Sequence, residues 1–218
     1  MKYLKLVAFL IIVLFSSCKK DKPEIKPEPT PAPEIYPNYS QLKVSNYWVY
    51  QWFDVDENGR DSALKIYDSS YVEKDTVIHE KTYFKLKCEG GIALKPVSFL
   101  RDSLHYIVNE KGEIQFSSND FTNVLNTRYV EATQYDTICR VEMKMDNTTT
   151  TTNLPVGNFK TLPAKSTYFF YPKWPSTSNP RYTNVRYAEN VGIVSESVIF
   201  GLASKGYSEK RLLRYKVN

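Results

Sequence analysis

Hydrophobic and polar residues alternate through much of the chain after residue 38. In the segment 82–89, Phe84, Leu86 and Cys88 alternate with charged side chains. The segment 139–145 has the same pattern, with aliphatic or sulfur-containing residues at every second position. A period of two places successive side chains on opposite faces of a strand. Both segments therefore predict strands with one buried face and one face in solvent.

The same pattern, with turn residues between the segments, predicts a mainly β fold of about ten strands and at most one short helix. The predicted strands occupy residues 47–53, 63–73, 82–89, 104–109, 113–116, 139–145, 158–161, 167–171, 182–188, 193–200 and 211–217. Residues 121–134 form either a short helix or a loop, and residues 148–152 form either a strand or an exposed loop. Such a domain is either a single antiparallel curved sheet or a β-sandwich.

The first 17 residues have the pattern of a secretory signal peptide. Lys2 and Lys5 precede an apolar run of about ten residues, which is shorter than the roughly 20 that a membrane helix needs. The residues 14–17, Leu-Phe-Ser-Ser, then lead to Cys18, an ending that resembles the bacterial lipoprotein box. In that motif the cysteine thiol receives a diacylglyceryl group and becomes the first residue. We therefore predict that Cys18 is lipidated.

Residues 18–38 predict a tether between this anchor and the folded domain. They contain six of the 12 prolines of the chain, and proline lacks an N–H group and fixes φ, so an extended spacer is expected. The predicted organisation is thus a signal peptide at 1–17, a lipidated cysteine with its tether at 18–38, and a β-rich domain at 39–218. The expected location is the cell envelope, anchored in the outer membrane by lipid, on either of its faces.

The charge of the chain narrows the choice of partners. The net charge is +5, and removal of Lys2 and Lys5 with the signal leaves about +3 (5 − 2). The basic residues are scattered, so the sequence does not indicate nucleic-acid binding. The expected partners are the membrane, through the N-terminal lipid, and an envelope protein or a glycan.

The sequence contains no recognisable catalytic motif. A G-x-S-x-G elbow, a phosphate-binding loop and a dinucleotide fingerprint are all missing from the sequence. His79 is expected in a turn and His105 in a strand, and neither is grouped with other metal-ligating residues. We therefore expect no cofactor, no metal site and no enzymatic activity.

Cys88 and Cys139 are the two thiols that follow Cys18, and each is predicted on the apolar face of its strand. An exported protein permits a disulfide between them. Closing a loop of about 50 residues would contribute roughly 4 kcal/mol to stability. The alternative is two separate buried thiols that pack as small hydrophobic groups.

Aromatic residues offer the single indication of a ligand. Trp48, Tyr50 and Trp52 share one strand face, and Trp174 lies on a proline-flanked loop. Strand aromatics usually fill the core, whereas an exposed Trp174 could face a sugar or an apolar chain.

Four further positions resemble the Asp-Ser/Thr-aliphatic sites of Bacteroidota O-glycosylation. These positions are Ser62, Thr76, Ser103 and Thr137.

Residues 42–50, Leu-Lys-Val-Ser-Asn-Tyr-Trp-Val-Tyr, resemble the LKVGNYWVY opening of a group of uncharacterised Bacteroidota lipoproteins. Residues 155–161 match a P-x-G-x-F-x-T segment of that group, and residues 190–194 resemble its late GVGxV motif. Ser45 and Asn190 each stand where the group has glycine. The resemblance implies a β-rich fold, such as a half-barrel like that of periplasmic lipoprotein carriers, and it implies no activity.

These observations indicate a non-enzymatic outer-membrane lipoprotein with a β domain that binds a ligand or has a structural role. Two alternatives remain: a surface glycan-binding module that uses aromatics near Trp174, and a periplasmic carrier of lipid or lipoprotein. A lined cavity would favour the carrier, and an exposed aromatic platform would favour the glycan-binding module.

Replacing Cys18 by Ala tests the anchor. Because the thiol is the attachment point, we expect the variant to be released from the membrane or to persist as an uncleaved precursor, without palmitate. Metabolic labelling with palmitate measures this directly. Labelling of the Cys18→Ala protein at the wild-type level would contradict the assignment.

Overall fold

Antiparallel strands dominate the part of the chain that a computed structural model describes, residues 34–91, 96–174, 176, 178–199 and 206–218. Cys18, the signal peptide and most of the tether lie outside these residues. The strands are β1 (Tyr47–Val55), β2 (Asp61–Ile78), β3 (Lys81–Gly90), β4 (Val97–Ser103), β5 (Tyr106–Asn109), β6 (Ile114–Ser117), β7 (Asn126–Thr133), β8 (Asp136–Met145), β9 (Thr150–Leu154), β10 (Gly157–Phe170), β11 (Arg181–Ala188), β12 (Gly192–Val198) and β13 (Tyr207–Lys216). The described ranges include no apolar helix of the length needed to traverse a bilayer.

All of these strands belong to one sheet, so the mainly β, single curved sheet is confirmed and the sandwich alternative is not adopted. Its order is β6-β5-β4-β3-β2-β1-β13-β12-β11-β10-β8-β7, with β9 paired to β10 beside this path. Neighbouring strands are antiparallel throughout the described pairings, for example where Trp52 on β1 lies opposite Lys210 on β13.

The two edge strands of the path, β6 and β7, are joined by the short link 118–125. Twelve strands laid flat would separate these edges by about 53 Å. The link, even fully extended, reaches about 32 Å. The sheet therefore has to curl until its edges face each other, and Asn126 Nδ2 donates a hydrogen bond to the carbonyl oxygen of Ile114 at 3.4 Å.

The curled sheet has two distinguishable ends, because its strands run alternately up and down. We call the end where residues 34–46 lead into β1 the lower end, and it also holds the β4–β5 and β11–β12 turns. The upper end holds the β1–β2 and β5–β6 turns, the last residue of β12 and the first residue of β13. We call the space inside the curled sheet the lumen.

Residues 34–46 cover the lower end. Tyr39 lies on the edge strand β6, with its ring centroid 5.0 Å from that of Phe116. The backbone N–H of Asn190, in the β11–β12 turn, donates to the carbonyl oxygen of Asn38 at 2.8 Å. Asn46 is fully buried, and its side chain donates to the carbonyl oxygen of Gln41 at 2.8 Å. These contacts attach residues 38–46 to the folded domain.

The hydrophobic core fills the lower part of the lumen in two main clusters. One contains Trp48, Tyr50, Val72, Ala188, Val191, Val194 and Leu212. The other contains Ile107, Phe116, Met145, Leu162, Ala164 and Tyr187. Each cluster draws side chains from strands far apart in sequence, so burial of the inner face depends on the curvature of the whole sheet.

Three sequence-based expectations are corrected by the structure. Residues 126–133 form strand β7 instead of a helix or loop, because backbone pairing with β8 decides where the local pattern is weak. His105 lies in the β4–β5 turn and not in a strand. The strand β4 (Val97–Ser103) was not among the predicted segments.

The predicted strands 158–161 and 167–171 are parts of one continuous strand, β10, although Pro163 lies between them. The carbonyl oxygen of Pro163 accepts a hydrogen bond from the N–H of Asp146 at 2.9 Å. The nitrogen of Pro163 therefore points to the same side. On that side Pro163 lies opposite the connection between β8 and β9. The missing N–H of proline therefore removes no hydrogen bond between paired strands.

Ser45 and Asn190, which replace glycines of the resembled motifs, both have left-handed backbone conformations. Their φ angles are 77° and 59°. Glycine adopts positive φ without the penalty of a Cβ atom. The two motifs thus coincide with turns that require this conformation, one before β1 and one between β11 and β12.

Replacement of Leu212 by Ala tests the core. Leu212 is fully buried in the cluster around Trp48, so we expect a loss of about 2–5 kcal/mol in the free energy of unfolding. Urea denaturation of Leu212→Ala and of Leu213→Ala, a half-buried leucine on the same strand, measures the difference. Equal losses in the free energy of unfolding for the two variants would contradict the burial of Leu212 in the core.

Candidate functional site

The upper part of the lumen contains a cavity of about 710 Å³. Its lining comes from every strand except β9, together with Tyr39 and Ser40 of the N-terminal segment. This volume is within the roughly 300–1,000 Å³ range of sites for small ligands. The cavity is therefore large enough to hold a molecule of that size.

On several strands the lining changes from apolar to polar between the lower and the upper end, whereas Trp52, Val141 and Val198 are apolar lining residues toward the upper end. On β11, Tyr187 lies lowest, Val185 above it and Thr183 highest. Other strands change in the same direction, from Leu100 to Ser98, from Ile107 to Asn109, from Ala164 to Ser166, and from Ile193 to Glu196. The cavity is thus amphipathic along its length, and we call this change the polarity gradient.

Four lining residues are exposed and mark where the cavity opens: Val97, Lys111, Glu113 and Arg128. Val97 begins β4, and Lys111 and Glu113 lie in the β5–β6 turn, so the opening is at the upper end. Arg128 on β7 donates a hydrogen bond to the hydroxyl oxygen of Tyr168 at 3.3 Å. We call this opening the mouth.

An ion pair lies inside the cavity, in the wall formed by β12 and β13. The Nζ atom of Lys210 is 2.6 Å from a carboxylate oxygen of Glu196, and their side chains are 16% and 29% exposed. The same Nζ lies 5.1 Å from the centre of the Tyr50 ring. Burial alone would lower the pKa of Lys210, but the carboxylate of Glu196 raises it above its usual value. Lys210 is therefore charged.

A second carboxylate, that of Asp68, and several neutral hydrogen-bonding groups lie around this pair. Trp52 Nε1 donates to a carboxylate oxygen of Asp68 at 2.8 Å, and the Ser70 hydroxyl and Cys88 thiol are 3.1 Å apart. The Tyr50 hydroxyl donates to the carbonyl oxygen of Ile193 at 3.0 Å. Burial, with a contribution from Glu196, raises the pKa of Tyr50 well above its usual value, so the phenol stays neutral.

Sequence reasoning missed Glu196, Lys210 and Asp68. The sequence did contain an indication of two of these residues. Lys210 lies on the same face of β13 as the buried Leu212, and Asp68 lies on the same face of β2 as the buried Val72. A charged residue at a buried phase of a strand indicates a polar interior or a paired charge.

A serine and a histidine approach each other outside the cavity. His105 Nδ1 lies 2.9 Å from the Ser117 hydroxyl. That hydroxyl oxygen also accepts hydrogen bonds from the N–H groups of Asn119 and Asp120, and Ser117 is fully buried. The pair therefore holds the turn after β6, and its oxygen is not placed to attack a substrate. His79 is exposed in the β2–β3 turn.

The predicted aromatic face of β1 is confirmed as a buried face. Trp48, Tyr50 and Trp52 are 4%, 3% and 1% exposed and line the cavity. Trp174 is half-buried and outside the cavity, and its indole N–H donates to Asp136 at 3.1 Å. The aromatic residues that line the cavity are thus the three of β1 together with Tyr39, Tyr168 and Tyr187.

The two cysteines lie on separate parts of the sheet. Both are free thiols: Cys88 on β3 lines the cavity, and Cys139 on β8 is buried beside Val141 and Phe170. β3 and β8 are not neighbours in the sheet. The structure therefore has two separate thiols and no disulfide between Cys88 and Cys139.

The proposed glycosylation positions lie near the ends of strands. Ser62 is exposed, and Thr76, Ser103 and Thr137 are half-buried. Their modification stays a prediction.

Across the described ranges, no group of three or more His, Cys, Asp or Glu side chains is placed to hold a metal ion.

No protein-family model matches this chain, and no curated protein matches it either. Two solved structures have a similar course of the backbone. One, from Bacteroides fragilis, is described as an exported protein with a YmcC-like fold; it is 14% identical over 83% of this chain and 100% of its own, with a TM-score of 0.48. The other, from Parabacteroides distasonis, is described as a lipoprotein; it is 13% identical over 84% of this chain and 100% of its own, with a TM-score of 0.45. Neither likeness identifies a ligand.

Thiol titration tests the cysteine assignment. In the chain from Lys19 onward, which is the predicted mature chain without its lipidated first residue, we expect two reactive thiols after denaturation without reductant. In the native protein Cys88 should react first, because it borders the cavity, whereas burial shields Cys139 and raises its pKa. The Cys88→Ser variant should retain only the slow thiol. Absence of free thiol in the denatured protein would establish the disulfide instead.

Proposed function

We propose that this protein is a non-enzymatic, lipid-anchored protein of the cell envelope that carries one amphipathic molecule in its lumen. The observation that carries the proposal is the polarity gradient of the cavity. An apolar chain would lie at the lower end, against Ile107, Tyr187 and Ile193, and a polar group would lie near the mouth. Apolar contact contributes roughly 25 cal/mol for each Å² removed from water.

The closed lower end supports the same orientation of the ligand. Tyr39 and Trp48 border the cavity there, and Trp48 donates its indole N–H to the carbonyl oxygen of Val191 at 2.6 Å. A polar group placed at this end would lose its hydration. The indole N–H of Trp48 cannot replace the lost hydrogen bonds, because it is already bonded to Val191. Such a loss is unfavourable unless new hydrogen bonds replace it.

The carrier function agrees with the predicted anchor at Cys18. The N-terminal segment enters at the lower end and the mouth is at the upper end, so residues 34–46 leave the mouth unobstructed. A proline-rich tether of about 20 residues reaches at most about 60 Å. We propose the periplasmic face of the outer membrane as the place of action, where amphipathic molecules must cross an aqueous layer.

The glycan-binding alternative rests on Trp174. Its indole N–H is engaged by Asp136, and Lys173 lies over its ring at 5.6 Å. The half-buried ring has no second aromatic partner among the described ring contacts. The cavity therefore gives the stronger support, and it favours the carrier.

Filling the lumen tests the proposal. Ser166 lines the cavity, whereas Thr167 follows it on the outer face of β10. We expect the mature chain to bind the neutral apolar dye N-phenyl-1-naphthylamine saturably and to release it when monoolein is added. Ser166→Phe should weaken binding of both by about tenfold or more, because its ring occupies the cavity.

Thr167→Phe is the matched control and should bind like the wild type. Thermal unfolding of both variants verifies that the fold is retained. If the wild type binds neither compound, or if both variants lose affinity equally, the lumen is not the carrier site.

A further inference from the structure

We infer that the lumen selects amphipathic molecules whose polar group is uncharged, such as a hydroxyl or an amide, and rejects carboxylates, and that Glu196 enforces this selection. The inference rests on the proposed carrier function and specifies its ligand. It follows from the way in which the charged groups of the cavity are already engaged.

Only one basic group lies inside the described cavity, away from the mouth. The basic lining residues are Lys111, Arg128 and Lys210, and the first two are exposed at the mouth. An anionic group drawn into the lumen would therefore have to approach Lys210. A carboxylate buried without a cationic partner is strongly unfavourable.

Lys210 is already occupied by Glu196. Their 2.6 Å contact is a charge-assisted hydrogen bond between two side chains that are 16% and 29% exposed. The face of Tyr50 lies against the same ammonium group, at 5.1 Å. A further carboxylate that reached Lys210 would also come close to Glu196, with Asp68 as a second negative charge in the same lining, and repulsion between like charges is stronger at partly buried positions than in bulk water.

Uncharged polar groups also line the cavity. Ser98, Ser166 and Thr183 lie on the upper part of the lining, and their hydroxyls can each donate and accept hydrogen bonds. The amide of Asn109 is already bonded to Glu113 and Lys111. A ligand hydroxyl can donate to the carboxylate of Glu196 without disturbing its bond to Lys210, because a carboxylate accepts several hydrogen bonds. The same cavity therefore accommodates a neutral polar group and excludes an anion.

The test compares two ligands with the same apolar chain. Monoolein and oleate displace N-phenyl-1-naphthylamine from the mature chain at pH 8.5, where oleate is ionised and Lys210 remains charged. We expect monoolein to bind the wild type at least about tenfold more tightly than oleate. Glu196→Gln should raise the affinity for oleate by about tenfold, because Lys210 becomes available, and should change that for monoolein by less than about threefold.

Three further variants isolate the cause. Glu142→Gln removes a carboxylate paired with Arg140 on the outer face of β8, and should change neither affinity. Glu196→Asp keeps the negative charge and should keep the preference for monoolein. The double variant Glu196→Gln, Lys210→Gln should lose the gain in oleate affinity.

The outcomes separate this inference from the proposed function. If neither ligand displaces the dye, the carrier function itself is wrong. If both bind the wild type equally, or if Glu196→Gln leaves their ratio unchanged, the carrier function stands and the selection by Glu196 is refuted. Thermal unfolding of each variant confirms that the comparison is made between folded proteins.

Discussion

The shape of this domain depends on the short link between β6 and β7. The pairing order places these two strands at opposite edges of a twelve-strand path, yet residues 118–125 must join them. No flat or gently twisted sheet satisfies this distance, so the sheet curls and encloses a lumen. The two hydrophobic clusters and the cavity above them are consequences of that closure, since each is assembled from strands on both sides of β1.

The sequence contains enough information to predict most strands but not how they enclose a space. Alternation located the strands around Phe84 and Val141 because one face of each strand contributes apolar side chains to the lumen and the opposite face carries charged residues. It failed for residues 126–133, where both faces of the edge strand β7 are largely exposed and hydrogen bonding to β8 decides. The pairing order is a long-range property, and no local period encodes it.

The candidate site could be predicted less well than the fold, for a related reason. Side chains that face the cavity and side chains that face the hydrophobic core lie on the same face of a strand. Lys210 and Leu212 on β13 are one example, so alternation alone does not distinguish the cavity from the core. On the opposite face of the same strand, Glu209 bonds Arg186 at 2.9 Å and Arg211 at 2.8 Å. The inner ion pair borders the cavity, whereas the outer network lies on the outer face of the sheet, where Glu209 itself is buried.

The seam between β6 and β7 has a consequence for the size of the lumen. In a fully hydrogen-bonded barrel, the number of strands and their stagger fix the circumference. Here the backbone ladder is interrupted at the seam, and the hydrogen bond from Asn126 to Ile114 is a side-chain contact. The circumference can therefore widen or narrow without breaking a strand pairing, and the side chains along this one line, rather than the strand number, decide how large a cavity the sheet can enclose.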